Sequence, residues 1–391
     1  MDQYFLEVDY YQLNKNKQIA CGDSFLSRKF DDRIVVVLAD GLGSGIKASV
    51  LSTLTTTMAA SFITSRMDIR RAAEVILDTL PVCSYRKIGY STFTIIDAKL
   101  SGEVSIIEHD NPPYALIRKG KIIPVVKQDI PLKTERKSHL YYSEFTMLPE
   151  DRIVFYSDGV TQAGMGLPHL PLGWQESGVE AYLRELLHNS PQLSAGQISK
   201  RTALKAREYD GGKAADDISC AALYLRNPRR TLLMTGPPYK KEHDAVLASI
   251  ANGFTGTKIL CGGTTAAILS RELGIPLKVN LSEVRLDSEI PPTAMMEGFD
   301  LVTEGTITLS RALRILEQDP ALETLSDNAV NRLVKLLLDS DIIECVVGTK
   351  INDAHQDPAL PKDLEIRRNL MKHICNALET KYMKKTNLVF V

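Results

Sequence analysis

The sequence has no excess of charge of either sign: 47 Lys and Arg stand against 48 Asp and Glu, a net charge of −1 over 391 residues. Such a balance supplies no basic field for nucleic acid and no polybasic patch for a membrane surface, so neither partner is expected. A continuous apolar run of the roughly 20 residues needed by a spanning helix is also missing. The opening residues MDQYFLEVDY are acidic and lack the charged-then-apolar pattern of a secretory signal, so a cytoplasmic location is expected. The six cysteines, Cys21, Cys83, Cys220, Cys261, Cys345 and Cys375, are far apart and show none of the short spacings of a zinc site or a disulfide framework. Buried thiols in a reducing compartment are expected instead. No repeat of fixed period and no low-complexity tract interrupts the chain.

What is present is a chain longer than one ordinary domain, with the composition of a soluble globular protein. Between residues 1 and 226 the strongest segments are RIVVVLAD, YSTFTIIDA, GEVSIIEH, YALIRKG, RIVFYSD and ISCAALYLR. They are β-branched and aromatic, bounded by Gly, Pro or Asp, and read as strands. From Ile46, apolar residues recur at Val50, Leu54, Met58 and Phe62, a four-residue spacing that marks one helical face. Further helices are expected near 69–80, 176–188 and 194–209. Strands in runs with helices grouped between them predict an antiparallel α+β domain over 1–226. At LRNPRRT, residues 225–231, a Pro among basic and polar residues breaks the pattern. Strand and helix then alternate, which predicts a smaller α/β domain over 231–391 with a mainly parallel open sheet.

Two apolar runs, VVVLADG and IVFYSDG, end in Asp-Gly and place Asp40 and Asp158 at the ends of two core strands. Asp216 and Asp217 immediately precede ISCAALYL, and Asp23 lies in CGDS ahead of RIVVVLAD. Carboxylates gathered beside buried strands repel one another unless a cation lies between them, and Mg²⁺ and Mn²⁺ favour such oxygen ligands. Asp-Gly is equally the signal of a turn, and spacing alone leaves both readings open.

The ordered set CGDS, LADGLGSGIKA, YSDGVTQA and ADDIS resembles the metal-dependent protein serine/threonine phosphatases of the PPM (protein phosphatase 2C) family, in the bacterial branch typified by stage II sporulation protein E. The resemblance covers about residues 1–226 and implies a β-sandwich flanked by helices. It implies two or more Mn²⁺ or Mg²⁺ ions, with Asp40 bridging them and the Gly41 carbonyl as a further ligand. Asp158 and Asp216 would complete one metal site and Asp23 would serve the other, with Asp217 capping or supporting them. The implied reaction is hydrolysis of phosphoserine or phosphothreonine on a protein, by water activated between the metals and without a covalent nucleophile. In bacterial relatives such a substrate is often an anti-sigma-factor antagonist. Two stretches depart from the family pattern: HDNPPY has Asn111 where a histidine is common, and TQAGMG has Gln162 where a glutamate is common. Neither position matches a metal ligand, so both bear on substrate fit. His109 reads either as a proton donor to the leaving group or as a satisfied loop histidine.

Two other readings compete. GLGSG, residues 41–45, opens a helix as a phosphate loop does, but it lacks the Gly-Lys-Ser/Thr ending of a nucleotide site. A non-catalytic phosphoprotein-binding module on the same fold is the second. Residues 231–391 carry no motif that we recognise as that of a known family. Several of their strands end in small-residue loops, MTGPP, CGGTTA, TEGTIT and VGTK, which in a parallel sheet fall at the ligand-binding end. In CGGTTA, Gly262, Gly263, Thr264 and Thr265 precede a helix and offer amides and hydroxyls to a small anion, or simply permit a tight turn. A sensory or docking domain that regulates the first is expected.

Overall fold

The computed structural model describes residues 4–80, 91–131, 139–279, 293–318, 327–350, 363–382 and 384–391. Cys83 and the end of the expected strand LKVNL lie outside these residues. The chain divides into two compact units, Met1–Asn227 and Pro228–Val391.

In chain order the first unit comprises β1 (Phe5–Leu13), β2 (Asp23–Lys29), β3 (Arg33–Gly41), α1 (Ile46–Thr64), α2 (Ile69–Thr79), β4 (Ser91–Lys99), β5 (Glu103–His109), β6 (Ala115–Arg118), β7 (Lys121–Ile123) and β8 (Gln128–Ile130). It continues with β9 (Leu140–Thr146), β10 (Arg152–Tyr156), α3 (Asp158–Thr161), α4 (Gln175–Asn189), α5 (Ala195–Tyr209) and β11 (Ile218–Arg226). One sheet runs β1-β11-β10-β6-β7 and the other β2-β3-β4-β5-β9-β8, and every pairing in both is antiparallel.

The period of two along β3 explains the layering. Ile34, Val36 and Leu38 join Ile106 of β5, Phe155 of β10 and Leu223 of β11 in a core between the sheets. Val35, Val37 and Ala39 point the other way, into a core with α1 and α2. The far face of the first sheet, including Val154, Tyr156 and Cys220, is covered by α3, α4 and α5. Two antiparallel sheets are thus packed face to face with helices outside both.

The spacing of apolar residues on α1 marks a packed face only in its second half, where Met58 and Phe62 pack against the core. Val50 is 60% exposed and Leu54 45%, whereas Ala48, Ser52, Thr55, Thr56, Ala59, Ala60 and Ile63 are buried. The reason is close approach: a Cβ on Gly41 at the end of β3 would stand 2.0 Å from the Ala48 carbonyl oxygen. Beside Gly41 only small residues fit, so Val50 and Leu54 are displaced outward, while Met58, Phe62 and Ile63 in the second half of the helix pack into the core. By length and composition α1 is apolar enough to cross a membrane. Its inward hydroxyls are nevertheless satisfied within the helix, Thr55 by Leu51 O at 2.8 Å and Thr56 by Thr53 O at 3.0 Å, as in a core helix.

The second unit contains β12 (Arg230–Thr235), α6 (Asp244–Gly253), β13 (Thr257–Cys261), α7 (Gly263–Leu273), β14 (Lys278–Val279), β15 (Ala294–Met295), β16 (Leu301–Thr303), α8 (Thr306–Gln318), α9 (Ala329–Asp339), β17 (Ile342–Val347), α10 (Asp363–Thr380) and β18 (Lys385–Phe390). Its sheet order is β14-β15-β16-β13-β12-β17-β18. The five strands from β16 to β18 are parallel, and β14 and β15 add an antiparallel edge. Helices α6 and α7 pack on one face and α8, α9 and α10 on the other. From β12 the chain winds outward through β13 to β16, then returns to place β17 on the opposite side. The order therefore reverses between β12 and β17, the topological switch point of an open α/β sheet.

Candidate metal centre

Asp23 begins β2 and Asp40 lies near the end of β3, and the two are directly opposite in the antiparallel register. Such partners project from the same face of a sheet, where like charges oppose each other. Asp158 follows β10 and opens the short α3, while Asp216 and Asp217 lead into β11. Since β10 and β11 are paired, with Tyr156 opposite Cys220, these acids emerge side by side at one end of the other sheet.

Each acid feels its neighbours. Burial, opposed by the Ser219 and Ser157 hydroxyls and reinforced by Asp217 and Asp158, pushes the Asp23 carboxyl up to about 7. Burial, followed by the charges of Asp23 and Asp158, pushes Asp40 up to about 10. Asp158 is raised by burial and then by Asp216, while its hydrogen bond with Asp40 and those from the Gly159 amide and Gln162 act the other way. The Asp216 side chain is 41% exposed and paired with Lys15 Nζ at 3.2 Å.

The supporting contacts are specific. Ser157 Oγ donates to Asp23 Oδ2 at 2.7 Å and accepts from the Ser219 amide at 3.1 Å. Asp217 is a clamp: its Oδ1 accepts from the Lys15 amide at 2.9 Å and its Oδ2 from the Gly22 amide at 2.9 Å. Gln162 Nε2 donates to Asp158 Oδ2 at 2.9 Å, so this position bears directly on a candidate ligand. Asn111 Oδ1 accepts from Thr92 Oγ1 at 2.6 Å, and Thr92 is the β4 partner of Asp40. Ser157 and Ser219 lie within YSDGVTQA and ADDIS and Lys15 lies in no motif, but their contacts with Asp23, Asp216 and Asp217 arise only once the strands are paired.

His109 ends β5, not a loop. It is buried, tilted against Phe93 at 5.1 Å, with Nδ1 3.2 Å from the His139 carbonyl and Nε2 3.8 Å from Asp110 Oδ2. These contacts favour the satisfied-histidine reading. Gly41 is buried, and its packing on α1 is the reason for its missing side chain. Gly43 and Gly45, with φ of 106° and 69°, turn the chain into α1.

Among the described residues, no three His, Cys, Asp or Glu side chains form a ready-made cage for one ion. The donor set still fits a hard cation. Asp23 Oδ1 is buried and has no hydrogen-bond partner, and three carboxyls are held above their ordinary range by burial and mutual repulsion. Mg²⁺ and Mn²⁺ retain several waters and need only one or two carboxylates each, so a spread set of acids suits them better than a tight cage.

The family model for stage II sporulation protein E matches residues 31–226, half of the chain. No curated protein matches. Among solved structures, the chain is similar to the PP2C phosphatase domain with a fragment of the regulatory domain of SpoIIE from Bacillus subtilis, at 16% identity and a TM-score of 0.49. That match covers 58% of this chain and 65% of the other, less than two thirds of its length. The chain is also similar to the RsbU and RsbW domains of a Mycobacterium tuberculosis protein, at 17% identity and a TM-score of 0.46, covering 63% and 67%. A third similar structure is RsbX in complex with magnesium, at 18% identity and a TM-score of 0.39, covering 57% and 97%. With the family model spanning the strands that carry Asp40, Asp158 and Asp216, the chain belongs to the stage II sporulation protein E family of PP2C-type phosphatases.

Proposed function

We propose that residues 1–226 are a phosphatase dependent on Mn²⁺ or Mg²⁺ that hydrolyses phosphoserine or phosphothreonine on a regulatory protein, of the anti-sigma-factor-antagonist type. Residues 231–391 are a ligand-binding domain that regulates it. The observation that carries this reading is the gathering of Asp23, Asp40, Asp158 and Asp216 from two sheets, with Asp23 Oδ1 buried and unpartnered. These four side chains and the Gly41 carbonyl are the proposed ligands.

Two divalent cations held there would supply charge to offset the phosphoryl oxygens and would acidify the attacking water. The protein's own part is positioning. Ser157 fixes the orientation of Asp23, Gln162 that of Asp158, and Asp217 ties Gly22 and Lys15 beside them. No protein nucleophile is required. The Ser157 hydroxyl is committed to Asp23, and Ser24 Oγ shares a 3.3 Å hydrogen bond with Thr56 Oγ1.

The test is phosphate release from an aryl phosphate and from a phosphoserine protein in Mn²⁺, for the wild-type chain, Asp40→Asn and Asp158→Asn. Loss of at least about 100-fold in both variants is expected, since each removes charge that acts at the transition state. Equal rates for all three proteins would sink the proposal. Affinity for the phosphoprotein without turnover in the wild type would make the domain a binding module instead.

A further inference from the structure

The CGGTTA loop lies in the second unit, at the carboxyl end of β13, and serves no part of the phosphatase chemistry. Gly262 has a φ of 139°, and a Cβ placed on it would stand 3.3 Å from Thr265 Oγ1 and 3.9 Å from the Gly236 amide nitrogen. One point above Gly262 is thus within reach of groups from the loops after β12 and β13. A Cβ on Gly305, in the loop after β16, would stand 3.4 Å from Gly262 Cα, so a third strand end closes the same corner.

The groups facing that corner are donors. Helix α7 begins at Gly263 with no side chain capping it, which leaves its opening amides without the partner a cap supplies. Thr265 is 0% exposed, yet its hydroxyl has no hydrogen-bond partner. A helical threonine ordinarily donates to the carbonyl four residues back. Here that carbonyl, Cys261 O, already accepts from Thr235 Oγ1 at 2.6 Å. A buried hydroxyl without a partner costs stability unless something else receives its proton.

Charge is supplied from the other side of the switch point. Arg367 of α10 reaches across the loop after β12, with Nη1 2.7 Å from the place a Cβ on Gly236 would take. The nearby carboxylate of Glu304 is turned to α8, where Oε2 accepts from the Ile307 and Thr308 amides at 3.1 and 3.4 Å.

We propose that Gly262, Gly263, Thr264 and Thr265, with the Gly236 amide and the Arg367 guanidinium, bind the phosphate group of a small phosphorylated metabolite. The α7 amides and the Thr265 hydroxyl donate to the phosphate oxygens, and Arg367 balances the charge. Glycine at 236 and 262 keeps the corner open. A side chain at either position would fill it.

The experiment uses the full chain in EDTA, so that phosphate held at a metal centre in the first unit does not contribute. Inorganic phosphate is titrated at constant ionic strength against chloride, and amide resonances of Gly263, Thr264 and Thr265 are followed by NMR. Saturable shifts at these three amides are expected. Thr265→Val removes a hydroxyl that bonds to nothing in the protein, so its melting temperature should equal or exceed that of the wild type. Its phosphate affinity should fall roughly tenfold or more, the usual weight of a hydrogen bond to a charged group. Arg367→Gln should weaken binding by a similar factor. AMP serves as the second probe: tighter binding than phosphate identifies an ester of a larger molecule, and equal binding identifies the free ion. Absence of saturable shifts with both probes, or unchanged affinity in Thr265→Val, would overturn the site. Neither result depends on whether the first unit is a phosphatase.

Discussion

The smallest scale at which the acidic centre can be tested is one hydroxyl. Ser157 donates to Asp23 Oδ2 while the other oxygen of that carboxylate remains unpartnered. Removing the hydroxyl in Ser157→Ala leaves Asp23 free to rotate, and supporting contacts of this kind are typically worth 10- to 100-fold in metal affinity. The Mn²⁺ concentration giving half-maximal phosphate release should therefore rise roughly tenfold or more. An unchanged metal requirement would remove Ser157 from the machinery. The raised carboxyls also set a pH dependence. A group whose folded value exceeds its unfolded value of 3.8 contributes stability that is fully present below 3.8 and is lost as pH rises through the folded value. For Asp23 that loss accumulates from 3.8 and is complete above about 7, and for Asp40 it continues to about 10. In EDTA, melting of the first unit should drop between pH 6 and pH 8, and saturating Mg²⁺ should flatten the drop by replacing the proton as counter-charge. A steeper fall in Mg²⁺ would contradict this. Asp40 and Asp158 are legible in the sequence because an apolar run ending in Asp-Gly is a local pattern. The partners of those acids are not local: Ser157 meets Asp23 across 134 positions and Gly22 meets Asp217 across 195.

Among the elements, α1 shows where periodicity misleads. Recurrence at Val50, Leu54, Met58 and Phe62 reads as one buried face, yet only Met58 and Phe62 pack against the core, and in the first half of the helix the short distance to β3 reserves the inward face for Ala, Ser and Thr. Helix α2 follows the ordinary rule, with Ile69, Ala72, Ala73, Ile76 and Leu77 inward and the Asp68 side chain capping the amides of Arg70 and Arg71. The difference is the interaxial space, which hydropathy does not encode. Gly41→Ala should destabilise the first unit by about 1–3 kcal/mol, the usual cost of forcing a group into a packed interface. Val50→Ser and Leu54→Ser should each change stability by less than about 0.5 kcal/mol in chemical denaturation, because both side chains face solvent. A large loss in either serine variant would show that the helix is turned the other way. Strand identity was more accessible than helix orientation, since β3 and β10 declare themselves by unbroken β-branched and aromatic runs, and β11 is buried along all nine residues.

For the whole molecule, alternation of strand and helix after residue 230 is enough to anticipate the parallel sheet of the second unit, but not its strand order. That order depends on whether each crossover continues outward or returns past β12, a choice that local residues leave open. The same is true of the first unit, where nothing in Asp40 or Asp158 reveals that they belong to different sheets. Asp23 and Asp40 are carried by one sheet, Asp158 and Asp216 by the other. A divalent ion held between them would therefore act as a rivet through one end of the sandwich, and its effect would be mechanical as well as chemical. On adding Mg²⁺, amide exchange near Ala39 at the end of β3 and near Tyr156 at the end of β10 should slow together, although the two strands share no hydrogen-bond ladder. At the opposite ends of those strands, around Arg33 and Arg152, the sheets should keep their separate rhythms.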